Sequence, residues 1–370
     1  MTDLSVSPQR ASTEPDCPRS PGTSVQEYLD HDARPVPAVL RYDVNEDLGT
    51  EPLDVERFIS REWHDREVQK VWRKVWQMVC RADEIPEPGD HINYDIADDK
   101  LIIMRTNTGE IKALYNACLH RGRALRTEDG RVSELRCPFH GFSWNIDGTS
   151  KFVPCAWDFP QIDPENFPLP EAKVAEWNGF VFINMDPNSE SLQSFFGSML
   201  NDWDRWDYTD RIVYSHFGGV IDANWKITGE AFIEGWHSLA THPQMMEWLG
   251  DENTQYDVFK GENWSRQIVP QGVPSPTIAN HISEQEVLDS YYETRAFYSA
   301  GEGRDLSAGA EGTPIVPADS TARHELADQM RTSLAKQFGT DQDHWTDSEL
   351  LDGIQYFVFP NFYVFAGPRT

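Results

Sequence analysis

The 370-residue chain carries 61 acidic against 32 basic residues, a net charge of −29, and holds 13 Trp, 19 Phe and 12 Tyr. That many large aromatics can build a sizeable core, which excludes a disordered chain, and so acidic a surface repels a nucleic-acid backbone or an anionic membrane. No run of about 18 apolar residues is present to span a bilayer, and an odd count of five cysteines argues against a disulfide framework and for the reducing cytoplasm.

Residues 1–36 are rich in Pro, Ser, Thr and Asp, lack the apolar stretch of a signal peptide, and read as a flexible tail. Residues 37–76 form a helical segment expected to pack on the catalytic part of the chain. Within and just beyond it, Asp54 to Cys80 alternates charge with Phe58, Trp63, Val68, Val71, Trp72 and Trp76, an amphipathic helical pattern. Short β-rich runs follow at Ile92–Ile96, Leu101–Met104 and Ile111–Tyr115. Asp147-Gly148 marks a hairpin tip, and Trp177–Met185 reads as one buried strand. These elements predict a small antiparallel β domain over residues 77–186.

Ser191–Trp206 predicts a helix, and Ile212–Asp222 a strand that opens a second domain over residues 187–370. Trp225–Leu239 has helical character and Tyr256–Ile268 is mixed strand. Val273–Thr313 is rich in Gly, Ser, Pro and acidic residues and reads as a long loop region. Asp319–Phe338 is a helix with Asp319 or Ser320 as cap and Gly339 as its end. Ile354–Ala366 is an aromatic strand pair hinged at Pro360-Asn361.

The chemistry concentrates in Tyr115–Trp144. Cys118 and His120 lie two apart, Cys137 and His140 three apart, and sixteen residues separate the pairs. Two thiolates and two imidazoles from two loops can hold one zinc tetrahedrally, or a [2Fe–2S] cluster with both sulfurs on one iron and both imidazoles on the other. Structural zinc sites usually group Cys with Cys and His with His, whereas each pair here is mixed. A clamp of two mixed loops suits a cluster.

The pattern C-x-H…C-P-x-H-G, with Arg121-Gly122, Pro138-Phe139, Gly141 and Trp144 around it, resembles the Rieske family. The resemblance implies a [2Fe–2S] cluster held by Cys118, His120, Cys137 and His140. Respiratory Rieske proteins carry an additional cysteine in each loop, and those two form a disulfide. Arg123 and Phe139 stand at the matching positions here, which implies a potential toward the low end of the Rieske span and the oxygenase branch of the family.

A second constellation lies in Asn224–Gln244. His237 and His242 are five apart, a spacing that turns about 500° along an ideal helix, so both reach one metal only if the helix widens or ends near Ala240. Pro243 favours an ending there. Glu234 lies three before His237, on the same face. Asn224-Trp225-Lys226, Glu234, Trp236-His237 and His242 resemble the mononuclear iron motif of Rieske non-haem iron aromatic ring-hydroxylating oxygenases, alpha subunit. Trp236 replaces a frequent Tyr, and Glu234 a frequent Asp, as the bridging acid.

The resemblance spans most of residues 40–370. It implies an α+β fold: an antiparallel-β Rieske [2Fe–2S] domain, then a helix-grip catalytic domain with its antiparallel sheet around helices. It implies a mononuclear Fe(II) held by His237, His242 and a carboxylate. In the family that third ligand is an Asp well after a segment like Phe359-Pro360-Asn361. Only nine residues follow Asn361, none acidic, and Asp343, Asp347 and Asp352 precede it. The third ligand is therefore expected beyond Thr370, in a C-terminal part missing from this chain. The implied activity is mono- or dioxygenation of a small organic, aromatic substrate with O2, with electrons from NAD(P)H through a reductase and a ferredoxin. A homotrimer is implied, with or without a small beta subunit, with Glu234 bridging a cluster histidine of one subunit to His237 of the next. Without the third ligand, the alternative is a Rieske electron-transfer protein with no oxygenase activity.

Overall fold

The computed structural model describes residues 22–42, 44, 51–301, 314–339 and 341–368. Fourteen strands form three antiparallel sheets among these residues. The first sheet takes β1 (Gln77–Arg81), β2 (Asp90–Ile96), β3 (Asp99–Arg105), β4 (Ile111–Tyr115) and β5 (Gly130–Arg131). A three-stranded sheet follows from β6 (Leu135–Arg136), β7 (Ser143–Trp144) and β8 (Ser150–Phe152). Then β9 (Glu171–Trp177) and β10 (Phe180–Asn184) return to the first sheet, which runs β1-β10-β9-β4-β3-β2-β5. The last sheet takes β11 (Gln255–Val258), β12 (Trp264–Val269), β13 (Gly353–Val358) and β14 (Phe362–Ala366), in that order.

The three β-rich runs expected before Tyr115 appear as β2, β3 and β4, and Asp147-Gly148 does sit between β7 and β8. The single strand expected over Trp177–Met185 is instead the second half of a hairpin. Asn178 (φ 51°) and Gly179 (φ 77°) form its two-residue turn, with Trp177 paired to Phe180. Positive φ at both turn positions matches the right-handed twist of the strands, and Asn-Gly is the usual sequence for it.

Helices are shorter than the sequence pattern suggests. Residues 1–21 of the expected tail lie outside the described residues, but the rest of it is not loose. Helix α1 (Val25–Asp30) starts at Ser24, whose side chain and that of Glu27 cap each other's backbone, and it buries Val25 and Leu29. The helix expected through Asp54–Cys80 divides into α2 (Glu56–Ile59), α3 (Arg61–Glu67) and a π turn over Val68–Trp72, then gives way to β1. Ser191–Trp206 breaks at Gly197 (φ 54°) into α4 (Leu192–Phe196) and α5 (Met199–Trp203).

The strand expected over Ile212–Asp222 does not form. Ile212, Tyr214, Phe217, Val220 and Ile221 are exposed, and no described strand lies alongside to complete a ladder. Trp225–Leu239 divides into α6 (Trp225–Glu230) and α7 (Ser238–Thr241). Within the expected loop region, Glu284–Gly301 is an 18-residue helix, α8, while residues 302–313 lie outside the described set. Ser283 marks its start: its backbone N–H and hydroxyl both donate to Glu286. Helix α9 (Ala322–Phe338) is capped by Thr321, one residue after Ser320 and two after Asp319, the expected caps, and ends at Gly339 in the left-handed region as expected. Helix α10 (Asp347–Leu351) leads into β13.

One apolar core joins the first and last sheets. Phe180 and Phe182 on β10 pack edge-on against Phe362 on β14, at 4.8 and 5.3 Å between ring centroids. Val25, Leu29, Phe196, Trp203, Tyr356 and Val358 complete it. A second core of Ile102, Leu114, Leu125, Leu135, Phe142 and Trp144 lies under the Cys118 and Cys137 loops. Among the described residues no helix is long and apolar enough to cross a membrane.

Candidate metal centres

The two Cys/His loops are built alike. Gly122 and Gly141 each stand four residues after a cysteine, and each N–H returns to that cysteine's carbonyl, at 2.8 Å for Cys118 and 3.1 Å for Cys137. Both glycines hold positive φ, 73° and 82°, which only glycine adopts without strain. The tight turn leaves each cysteine buried and each histidine nearer the surface.

The thiols of Cys118 and Cys137 are near enough to act on one another, and the backbone N–H groups of His120 and Arg121 lie on the Cys118 side. Burial pushes the Cys118 thiol above its usual pKa and Cys137 adds to the push, while the two N–H groups oppose it. Above the sulfurs, the imidazoles of His120 and His140 stand 4.8 Å apart, and His120 stacks on Phe142 at 4.9 Å. Paired sulfurs inside, backbone donors beside them and paired imidazoles outside fit the donor set of a [2Fe–2S] cluster with mixed ligands.

Asn116, two residues before Cys118, was not singled out from sequence. Its Oδ1 accepts from the N–H groups of Leu125 and Arg126, both at 2.9 Å, and its Nδ2 donates to Arg126 O at 2.7 Å. It therefore ties down the far end of the first loop. Nothing in its local sequence marks it, because the contacts span nine and ten residues.

At the second constellation, α7 ends at Thr241 and His242 is its C-cap, so the helix stops where both rings can turn toward one another. The imidazoles of His237 and His242 lie 5.5 Å apart at 71°. Glu234 Oε1 accepts from His237 Nδ1 at 2.7 Å, and its Oε2 accepts from the N–H groups of Trp236 and His237 at 2.6 and 3.2 Å. A carboxylate on Nδ1 leaves Nε2 of His237 free to ligate.

The Asn-Trp-Lys segment anchors rather than ligates. Asn224 caps α6 and donates to Phe58 O at 2.9 Å, and Trp225 Nε1 donates to Glu67 at 3.1 Å. Lys226 pairs with the same buried Glu67. Glu67, 158 residues before Trp225, also escaped the sequence reading. The two imidazoles fit two positions of a mononuclear site. Among the described residues no third His, Cys, Asp or Glu joins them in a group able to hold a metal ion.

Two family models match the chain: Rieske [2Fe-2S] domain over residues 75–163, and Ring hydroxylating alpha subunit (catalytic domain) over residues 203–370. The chain therefore carries a Rieske domain followed by a ring-hydroxylating alpha-subunit catalytic domain. Its relatives include the 2-aminobenzenesulfonate 2,3-dioxygenase subunit alpha of Alcaligenes sp., 30% identical over 52% of this chain and 50% of that protein. The carnitine monooxygenase oxygenase subunit of Acinetobacter pittii is 27% identical over 57% of each. Among solved structures, naphthalene 1,2-dioxygenase from Rhodococcus sp. aligns with a TM-score of 0.50 at 27% identity, covering 61% of this chain and 58% of that one. The chain spans about half the length of the curated relatives it matches. Both candidate sets lie within the matched stretches: Cys118, His120, Cys137 and His140 in the Rieske domain, and Glu234, His237 and His242 in the alpha-subunit catalytic domain.

Proposed function

We propose that this chain is the oxygenase component of a Rieske non-haem iron system, which hydroxylates a small organic substrate with O2. The observation that carries the reading is the His237/His242 pair with Glu234 on Nδ1 of His237, in a chain that also carries the paired Cys118/Cys137 and His120/His140 loops. Cys118, His120, Cys137 and His140 would hold the cluster, and His237 and His242 would supply two ligands of a mononuclear Fe(II). When bound, the cluster passes single electrons and the ferrous iron activates O2.

The protein's own groups set the conditions. The buried sulfurs and the outward imidazoles give the cluster a solvent-side edge for electron exchange. Glu234 holds one tautomer of His237. On the side of the last sheet facing the His237 segment, Phe357 stacks on Tyr363 at 4.5 Å, and Phe232 lies 6.1 Å from Tyr363. Aromatic rings this near the pair suit contact with a flat apolar substrate, which favours an aromatic compound. Relatives are named for the aromatic compounds 2-aminobenzenesulfonate, anthranilate and biphenyl, and others for carnitine and glycine betaine.

The domain matches support the remaining parts of the reading. Electrons come from NAD(P)H through a reductase or ferredoxin in the cytoplasm. Residues 77–186 act as the cluster unit, and 187–370 as the catalytic one. The working form is a head-to-tail homotrimer, in which Glu234 bridges to a cluster histidine of the next subunit. Exposed Leu119 and Phe139 beside the cluster histidines, and exposed Trp236 beside His237, support such a contact. Iron analysis tests the proposal: three irons per chain support an oxygenase, and two support an electron carrier.

A further inference from the structure

The turn that sets Glu234 and His237 runs between α6 and α7, which have six and four residues and share no packed face long enough to fix it. It is held from the sheet. Tyr256 on β11 accepts a hydrogen bond from Gly235 N–H at 2.8 Å. Thr254 lies beside the same turn, and its Oγ1 donates to Asp251 O at 2.8 Å. Directly across the ladder from Tyr256, Gln267 Nε2 on β12 donates to Phe232 O at 3.0 Å. Two register partners thus grip the turn at both ends.

The approach leaves no spare room. Gly235 is buried, and a Cβ there would come within 2.8 Å of Thr254 Oγ1 and 3.4 Å of the Tyr256 hydroxyl. Burial keeps the Tyr256 proton on, with Glu234 and Asp251 adding to that effect, so the group that accepts from Gly235 is a neutral hydroxyl. Without it, Gly235 would carry a buried N–H with no partner. The flanking residues would feel this first. Glu234 holds the N–H groups of Trp236 and His237, so a shifted Gly235 moves the carboxylate away from His237 Nδ1.

We propose that Tyr256 is a positioning residue for the His237/His242 pair, acting through Gly235 to hold the Glu234 carboxylate on His237. The proposal rests on the oxygenase reading of that pair. The test is equilibrium dialysis of the full chain, with its cluster oxidised, against Co(II) alone, read together with the electron paramagnetic resonance line shape of the bound Co(II). Tyr256→Phe should bind Co(II) about tenfold more weakly with an altered line shape, as expected for loss of an outer partner of a metal-ligating histidine. The signal of the reduced cluster and the melting temperature should change little. Gly235→Ala, which presses on the same contact from the other side, should do the same.

If the wild type binds no more Co(II) than His237→Ala, the oxygenase reading fails and takes this proposal with it. If the wild type binds and Tyr256→Phe matches it in affinity and line shape, only the role of Tyr256 fails. Should Tyr256→Phe not fold, Thr254→Val, which keeps the ring and removes the oxygen that lies against Gly235, should weaken binding about threefold, a fraction of that outer-partner effect. Wild-type affinity and line shape in Thr254→Val would overturn the proposal.

Discussion

Glu234 and His237, three residues apart, meet at 2.7 Å between Oε1 and Nδ1, and the same carboxylate takes the N–H groups of Trp236 and His237 on its other oxygen. One side chain therefore sets both the backbone turn and the tautomer of a candidate ligand. Glutamine keeps an oxygen for one of these tasks but cannot serve both. Glu234→Gln should lower Fe(II) affinity at the second site by about 10–100-fold, the usual cost of losing an outer carboxylate. Calorimetric titration with Fe(II) under anaerobic conditions measures it, and an unchanged affinity would show that the carboxylate does not orient His237.

The cluster ligands allow a simpler test. Cys137 sits at 2% exposure with its backbone closed by Gly141 and Phe142. Cys137→Ser replaces a soft thiolate with a hydroxyl that ligates iron poorly. The purified variant should lose the red-brown colour and the paramagnetic signal seen after mild reduction. Colour retained at wild-type intensity would mean that Cys137 is not a ligand.

The short-range parts of these sites were legible because their chemistry is local. Each Cys/His pair fits within four residues, and the glycine four after each cysteine is visible as a turn-former. What stayed hidden depends on distant partners. Glu67 meets Trp225 and Lys226 across more than 150 residues, and Tyr256 meets Gly235 across 21. The long helices failed for a related reason. Gly197 breaks one, and the Glu234 turn breaks another by offering its carboxylate to backbone N–H groups in place of helical carbonyls. Ile212–Asp222 has the residues of a strand, but a strand forms only where a neighbour completes its ladder. Helix α8 was obscured by the Gly and Ser around it, although Ser283 and Glu286 mark its start.

The N-terminal segment introduces a pH dependence. Asp32 accepts from Ser348 N–H at 3.3 Å, and Arg323, Asp347 and Asp352 face it. Burial pushes its carboxyl up from 3.8 to about 7; Arg323 opposes the shift, while Asp347 and Asp352 add to it. The fold thus prefers the protonated form. Its contribution to stability is complete below the unfolded value and is lost as pH rises through about 7. Asp32→Asn mimics the protonated acid. Its margin in melting temperature over the wild type should be smaller near pH 5 than near pH 8, and an equal margin at both would rule out the coupling.

Arg266 offers the sharpest stability test, because its side chain is fully enclosed beside two carboxylates. It meets Asp257 at 2.6 Å and Asp202 at 3.0 Å, and it donates to Val39 O at 2.6 Å. Burial raises the Asp202 carboxyl to about 6, and Arg266 is what holds it that low. Arg266→Met would leave two buried carboxylates without a counter-charge, and removing one partner of a buried pair costs about 3–5 kcal/mol. Arg266 sits next to Gln267 on β12 and across from Asp257 on β11, so the damage should reach the strands that hold the His237 turn. Urea unfolding should show the full loss at pH 8 and a smaller one near pH 5.5, where protonation relieves Asp202. Arg266→Met combined with Asp257→Asn should recover part of the loss. A single-variant cost below about 1 kcal/mol, the level of an exposed pair, would show that the enclosed triad contributes no more than a surface salt bridge.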